Sequence, residues 1–411
     1  MIISCRSCKS KELVDILSLG EQYVSDFIDG DNKPVAYPLS LVLCNNCGLL
    51  QLKDDVPPTA LYTDRYGYRS GINKTMREHL VEIVRSVEKM ANPKRGDIVI
   101  DIGCNDGTLL KSYTTVGLIR VGYDPITKFG LYFNGTDIKF VNDYFNGRTY
   151  KKDFGDRKAK IITAISMFYD LEEPNEFVSD LSKVIHDDGI IVIQQNYLAE
   201  MLKQNAFDNI VHEHLEYYSL TSMENLLTRH DLTVFDVLIN DINGGSFRTY
   251  ICRRGAREVK ESVYKLRKYE KKLGLSEEKI YRDFVDRISN IKKKLLSLIE
   301  GEVKQGKRIY IYGASTRGNA ILQYCGIDKR LIMKAVERNP EKWGKRIAST
   351  GIPIISEEEG RKERPDYMLV LPWFFKQEFI ERETEYLQNG GKLIFPLPQI
   401  EVIDKRQIDK E

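Results

Sequence analysis

The chain has few histidines and fewer tryptophans, 5 and 2 among 411 residues. It also has no excess of either charge. The 62 Lys plus Arg stand against 60 Asp plus Glu for a net of +2, so no global field favours wrapping nucleic acid or lying on an anionic membrane, and any partner must be recognised locally. Long hydrophobic runs are missing too. Runs such as Ile190 to Ile193 match one buried strand, and none approaches the roughly 18 residues of a membrane span. The opening residues MIISCRSCKS hold no apolar leader core, which gives the expectation of a cytoplasmic rather than a secreted protein. Apolar material is nonetheless sufficient for a folded core: 42% hydrophobic and 10% aromatic residues exclude wholesale disorder and collagen-like polymers. The length is about two to three times that of one domain, so more than one core is expected.

The seven cysteines divide into two C-x-x-C knuckles, Cys5/Cys8 and Cys44/Cys47, and three scattered singles, Cys104, Cys252 and Cys325. Without a leader the knuckles argue for metal rather than disulfide. Four thiolates make a soft, closed tetrahedral set that suits structural zinc and leaves no vacant position for catalysis. An iron–sulfur cluster is chemically compatible with the same spacing. A short β-like run, Leu39 to Leu43, leads into the second knuckle, so the first 72 residues read as a small metal-stapled module.

From Asn73 the apolar spacing becomes helical (Met76, Leu80, Ile83, Val84, Val87), and then strands alternate with helices. Strands are expected at Ile98 to Ile102, Arg120 to Tyr123, Ile138 to Val141, Ile161 to Ile165 and Ile190 to Gln194, the pattern of a doubly wound parallel sheet. The turn after the first strand, Asp101-Ile-Gly103-Cys-Asn105-Asp-Gly107, is neither G-x-G-x-x-G nor a phosphate-binding P-loop. Its glycines permit close approach to a ligand, and Asp101 can face a cationic amine. Asp124, 21 residues after Gly103, ends the second strand, where a carboxylate can hold both ribose hydroxyls. A ribose plus a cationic amino-acid tail fits S-adenosylmethionine, with Asp143, Tyr144, Phe145, Met167 and Phe168 expected near the adenine.

Two further segments carry chemistry. His212-Glu213-His214 lacks the H-E-x-x-H spacing of zinc proteases, so a general base is a better use of it than a metal site; a structural role stands beside that reading. Asn243-Gly-Gly-Ser246-Phe-Arg248 groups amide, hydroxyl and guanidinium around a flexible turn. Residues from Ala256 to Lys304, rich in Lys, Glu, Leu and Ile, read as one or two amphipathic helices with solvated basic faces. Beyond them the strand Ile309 to Tyr312 runs into Gly313-Ala-Ser315-Thr316-Arg317-Gly318-Asn319, and further strands are expected at Met333 to Glu337, Met368 to Leu371 and Lys392 to Phe395. Backbone N–H groups at that helix start, with Ser315, Thr316 and Arg317, are expected to face a pyrophosphate, and Glu337 a ribose.

Taken in order, the knuckles, D-I-G-C-N-D-G, S-M-F-Y-D-L (166–171), H-E-H-L-E-Y-Y (212–218), N-G-G-S-F-R (243–248) and Y-G-A-S-T-R-G-N (312–319) resemble the zinc-containing, S-adenosylmethionine-dependent sugar C-methyltransferases over nearly the whole chain. The resemblance implies an α/β protein in three parts. These are a zinc-binding module (1–72), a central doubly wound, Rossmann-like methyltransferase domain (73–255) and, after a helical linker (256–305), a smaller Rossmann-like α/β domain (306–411). It implies methylation at C3 of a nucleotide-linked 4-keto-6-deoxy sugar, carried by dTDP or GDP, with H-E-H at the active centre. His214 is then the base, Glu213 its partner or substitute, and Tyr66 or Tyr68 a donor to the enolate. Asn196, His212, Tyr217, Asn243, Ser246 and Arg248 are expected along the sugar's path. Some members carry a tyrosine where this chain has Val211, so that hydroxyl's role is absent or passes to Tyr66, Tyr68, Tyr217 or Tyr218. No nucleic acid or membrane partner is expected, and the chain is expected to act as a monomer or weak homodimer. Two other readings compete: an O- or N-methyltransferase for a small molecule or tRNA, and a non-catalytic nucleotide-sugar scaffold. Near-neutral charge counts against RNA, and the intact cofactor loop against the scaffold.

Overall fold

The computed structural model describes residues 1–30, 35–57, 61 and 69–408. Tyr66 and Tyr68 lie outside the described residues. Three sheets organise the chain. In the first, β1 (Leu13–Tyr23) pairs antiparallel with β2 (Ala36–Cys44), and β2 with β3 (Leu50–Leu52). The fourth strand of this sheet comes from far along the sequence: Glu216–Tyr217, just after the H-E-H segment, pairs antiparallel with β3. The metal-stapled module and the H-E-H segment therefore share one sheet.

The central sheet holds β4 (Ile98–Ile102), β5 (Ile119–Tyr123), β6 (Lys139–Val141), β7 (Ala159–Ile165), β8 (Ile185–Asn196), β9 (Leu232–Asn240) and β10 (Ser246–Arg253) in the order β9-β10-β8-β7-β4-β5-β6. The expected doubly wound parallel sheet is in fact mixed, because β10 runs antiparallel to both β8 and β9. Its inner strands β4 and β7 are buried on both faces, which explains their near-continuous apolar sequences. Ile98, Ile100 and Ile102 join one core layer. Val99 joins the other, under helix α1 (Lys74–Ala91), whose Leu80, Ile83, Val84 and Val87 recur at helical spacing.

The helical segment expected at 256–305 forms as two helices, α2 (Glu261–Leu273) and α3 (Glu278–Lys304). Far from being a spacer, α3 buries Tyr281, Phe284, Ile288, Ile291, Leu295 and Ile299 in the same core cluster as the first and third sheets. The third sheet, β11 (Ile309–Tyr312), β12 (Lys334–Glu337), β13 (Ile354–Ser356), β14 (Tyr367–Val370), β15 (Lys392–Phe395) and β16 (Glu401–Ile403), is ordered β13-β12-β11-β14-β15-β16 and is parallel except for β16. A short pairing of Phe27–Ile28 with Arg346–Ile347 ties the N-terminal part to it. Among the described residues no helix is long and apolar enough to cross a membrane.

Candidate functional site

The four knuckle sulfurs lie within 4.8 Å of one another, with Cys5 to Cys47 at 3.6 Å and Cys8 to Cys44 at 3.5 Å. A tetrahedral zinc with bonds of about 2.3 Å requires sulfur separations of about 3.8 Å, so the four sulfurs are clustered closely enough to close around that ion. Gln51 Nε2 donates to Cys5 Sγ at 3.2 Å and Asn46 Nδ2 to Cys8 Sγ at 3.4 Å, the outer contacts that orient thiolate ligands. The hydrogen bond from Cys47 holds the Cys5 thiol down at about 5. Gln51 also stands opposite Glu216 in the shared sheet, one strand pairing away from the H-E-H loop.

At the C-terminal ends of β4 and β5 lies a cavity of about 230 Å³ lined by Asp101, Gly103, Asn105, Asp124, Asp143, Tyr144, Phe145 and Met167. Gly103 has φ +71, and a Cβ there would lie 3.1 Å from Met167 Cγ. Gly107, also with positive φ, starts the short helix Thr108–Lys111, and a Cβ would meet the Phe133 ring at 2.7 Å. Both positions thus require glycine. Asp124 accepts from the backbone N–H of Asn105 at 2.9 Å and of Ile126 at 3.0 Å, and burial raises its pKa. Asp101 accepts from Thr163 Oγ1 at 2.6 Å, and burial pushes it up to about 7. Neither carboxylate forms an ion pair with a Lys or Arg among the described residues, so the cavity carries buried acidity that a cationic ligand would relieve. The chain just before α1 closes one side, Ser70 N donating to Asn105 Oδ1 and Gly71 N to Asp106 Oδ2. Phe168, expected beside the adenine, is instead buried against Phe177 and Tyr218. Residues not expected from the sequence, among them Ser70, Met76, Ile126, Phe129, Ser166 and Leu171, complete the lining.

The H-E-H loop adjoins this cavity through S-M-F-Y-D-L. The His214 ring lies 4.3 Å from that of Tyr169, whose neighbours Met167 and Asp170 line the cavity. His214 Nδ1 meets the Asn209 carbonyl at 2.9 Å. A carbonyl only accepts, so Nδ1 carries the proton and Nε2 is left bare. Burial, helped by Arg317, pulls His214 down to about 4, while burial pushes Glu213 up to about 7. Asn196 Nδ2 donates to Asn209 Oδ1 at 2.8 Å, and Tyr217 Oη to the Asn209 carbonyl at 3.4 Å. Asn196, His214, Tyr169 and Tyr217 line one narrow recess. His212 faces elsewhere: it is buried, with Nε2 on the Tyr37 carbonyl at 3.2 Å, and holds the loop to β2 rather than touching a ligand.

Several residues expected along the substrate path are engaged by the protein itself. Arg248 is fully buried in β10, donating to Glu82, to Gln194 Oε1 at 3.0 Å and to Tyr250 Oη at 3.1 Å, so it ties the reversed strand to α1. Ser246 Oγ donates to the Ile242 carbonyl at 2.8 Å, and Asn243, with φ +56, turns its carbonyl toward Arg317. Ser315 caps the helix α4 (Thr316–Cys325), accepting from Gly318 N at 3.0 Å, with half-buried Thr316 in its first turn. Asn319 bridges Ser25 and Ser349. Arg317 does not face open solvent as an anion site would: it pairs with the fully buried Asp208 at 2.8 Å. Glu337, at the end of β12, accepts from the backbone N–H of Arg338 and Asn339 at 2.8 and 2.9 Å. Sequence reasoning missed Tyr169, Asp208, Asn209 and Trp373. Tyr169 stands inside a recognised motif, whereas nothing local distinguishes the others.

Comparison with known proteins finds matches along nearly the whole chain. Residues 5–62 match a family model for a zinc binding domain, residues 73–237 a methyltransferase domain, and residues 241–398 a C-methyltransferase C-terminal domain. The C-methyltransferase NovU of Streptomyces niveus is 30% identical over 409 residues, 98% of this chain and 97% of that protein. Among solved structures, the plantazolicin methyltransferase BpumL in complex with SAH is similar to 43% of this chain over 82% of its own (13% identity, TM-score 0.35). The PH0226 protein from Pyrococcus horikoshii OT3 is similar to 46% over 95% of its own (17% identity, TM-score 0.36).

Proposed function

We propose, since this chain belongs to the S-adenosylmethionine-dependent C-methyltransferases that carry an N-terminal zinc-binding domain, that it methylates C3 of a nucleotide-linked 4-keto-6-deoxy sugar through an enolate. The observation that carries this reading is His214, its Nδ1 on the Asn209 carbonyl and its ring against Tyr169 beside the cavity, next in sequence to a carboxyl that burial pushes up. A carbon acquires nucleophilic character only when the proton alpha to a ketone is removed, which demands a base beside the methyl donor. A nucleophilic nitrogen has less need of such a base.

S-adenosylmethionine bound in the cavity supplies an electrophilic methyl group. Asp124 holds its ribose there, and the Asp101 to Gly107 loop its amino-acid end. His214 Nε2 takes the C3 proton, with Nδ1–H anchored on Asn209 throughout. Glu213, the preceding residue, pushed up to about 7 by burial, is its partner or substitute as base. Exclusion of water from the carbanionic carbon, and its alignment with the methyl group, would be what the site supplies beyond the base. Asn196 and Tyr217, with Tyr66 or Tyr68 from the segment preceding α1, contact the sugar and its enolate oxygen. The nucleotide, dTDP or GDP, is assigned to the start of α4 and to Glu337. Arg317 is left out of that assignment because Asp208 already holds it. The reading is tested by supplying methyl-labelled S-adenosylmethionine with nucleotide-linked 4-keto-6-deoxy sugars and locating the label by NMR. Label on C3 is expected, and label on oxygen or nitrogen would replace this proposal with another methyl transfer.

A further inference from the structure

We propose that Arg317 and Trp373, delivered by the C-terminal unit, are positioning residues for His214. They act through Asp208 and Asn209 to fix the tautomer and orientation that proton abstraction requires. The inference rests on His214 being the base, and its physical content is a chain of contacts crossing between units.

Asp208 is fully buried, yet no charged partner comes from its own neighbourhood. Arg317 Nε donates to its Oδ2 at 2.9 Å, with Nη2 in ionic but not hydrogen-bonded contact at 2.8 Å, and Trp373 Nε1 donates to the same oxygen at 3.0 Å. Arg317 is itself fixed by donation to the Asn243 carbonyl and by stacking on Phe374 at 4.6 Å. Three contacts on one oxygen, with Oδ1 left unpartnered, anchor the carboxylate in one orientation. Residues Phe207–Asn209 form a single 3₁₀ turn, so immobilising Asp208 also immobilises the next residue. That residue, Asn209, presents the carbonyl to which His214 Nδ1–H is bound. If the turn rotates, His214 loses the acceptor that selects its tautomer, and the lone pair no longer stays on Nε2. A clasp that served only to hold two units together would leave the histidine's tautomer unaffected, so the tautomer distinguishes the two roles.

The test uses full-length, zinc-containing, ¹⁵N-labelled protein with S-adenosylhomocysteine, the His214 signals being identified by their absence in His214→Gln. The wild type is expected to show a protonated Nδ1 and a bare Nε2. Trp373→Phe removes one N–H and keeps the ring, and Arg317→Lys keeps the charge and loses the two-point grip. Both are expected to give mixed His214 tautomers and a kcat lower by roughly 10- to 100-fold, the size seen for outer partners of a metal-bound imidazole. The KM for S-adenosylmethionine is expected to stay the same. If Arg317→Lys does not fold, Trp373→Phe alone decides. Unchanged tautomers in the folded variants, or an effect confined to the KM of the nucleotide sugar, would overturn the inference. Because the spectra need no substrate, they report on the coupling even if His214 proves not to be the base.

Discussion

At the residue scale the account turns on two titrating neighbours shifted in opposite directions. Burial pulls His214 down to about 4 and pushes Glu213 up to about 7, so at neutral pH the imidazole is a free base and the carboxyl is near its midpoint. Activity that needs both His214 neutral and Glu213 ionised should rise as pH increases through about 7 and be lost below it. Glu213→Gln should flatten that limb of the kcat/KM profile while lowering its plateau. A limb that persists in Glu213→Gln would assign it to another group. His214→Ala should lower turnover by a factor of roughly 100 to 10,000, the range for losing a general base, while calorimetry still detects S-adenosylhomocysteine binding. In the cavity, Asp124→Ala removes charge-assisted hydrogen bonds to the ribose worth about 1.5 to 3 kcal/mol each. S-adenosylhomocysteine should accordingly bind at least tenfold more weakly by calorimetry, and unchanged affinity would end that assignment.

At the scale of elements, the strand pairing of Glu216–Tyr217 with β3 makes the zinc module part of the scaffold that carries H-E-H. Removing the metal should therefore impair catalysis without removing a catalytic atom. Cys44→Ser is expected to lose stoichiometric zinc by elemental analysis, to unfold at lower temperature and to turn over more slowly; full zinc content with unchanged melting would refute the assignment of the four cysteines as ligands. This pairing also marks a limit of sequence reading. The parallel strands are legible because both their faces are buried, leaving runs such as Ile98-Val-Ile-Asp-Ile and Ile309-Tyr-Ile-Tyr that can be little else. β1 is not, because register shifts between Asp15 and Leu17 and between Ser18 and Glu21 break its alternation. β10 resembles a turn in sequence because Ser246, Arg248 and Thr249 are polar, and only the folded structure shows α1 and β8 satisfying Arg248 and Thr249. Each knuckle and the Asp101 to Gly107 turn can be read locally because each spans only a few residues. The roles of Arg317, Asp208 and Trp373 depend on contacts across more than a hundred positions, which no local pattern encodes.

At the scale of the whole molecule three units converge on one loop. The zinc module supplies its sheet, the central domain the adjoining cavity, and the C-terminal unit the Arg317 and Trp373 contacts. One core cluster runs through all three, so the arrangement is that of a single packed body whose parts share a site rather than tethered domains. A near-neutral net charge of +2 leaves recognition of an anionic sugar nucleotide to local donors, and moderate salt should change its KM little. The central claim is that this site makes a carbanion before it transfers a methyl group. It is tested most directly by mass spectrometry of hydrogen exchange in deuterium oxide, with enzyme, nucleotide-linked 4-keto-6-deoxy sugar and S-adenosylhomocysteine, so that deprotonation proceeds and transfer cannot. The account expects deuterium at C3 in the wild type and its loss in His214→Ala. Exchange at the wild-type rate in His214→Ala and in Glu213→Ala alike, or no enzyme-dependent exchange at all, would contradict it.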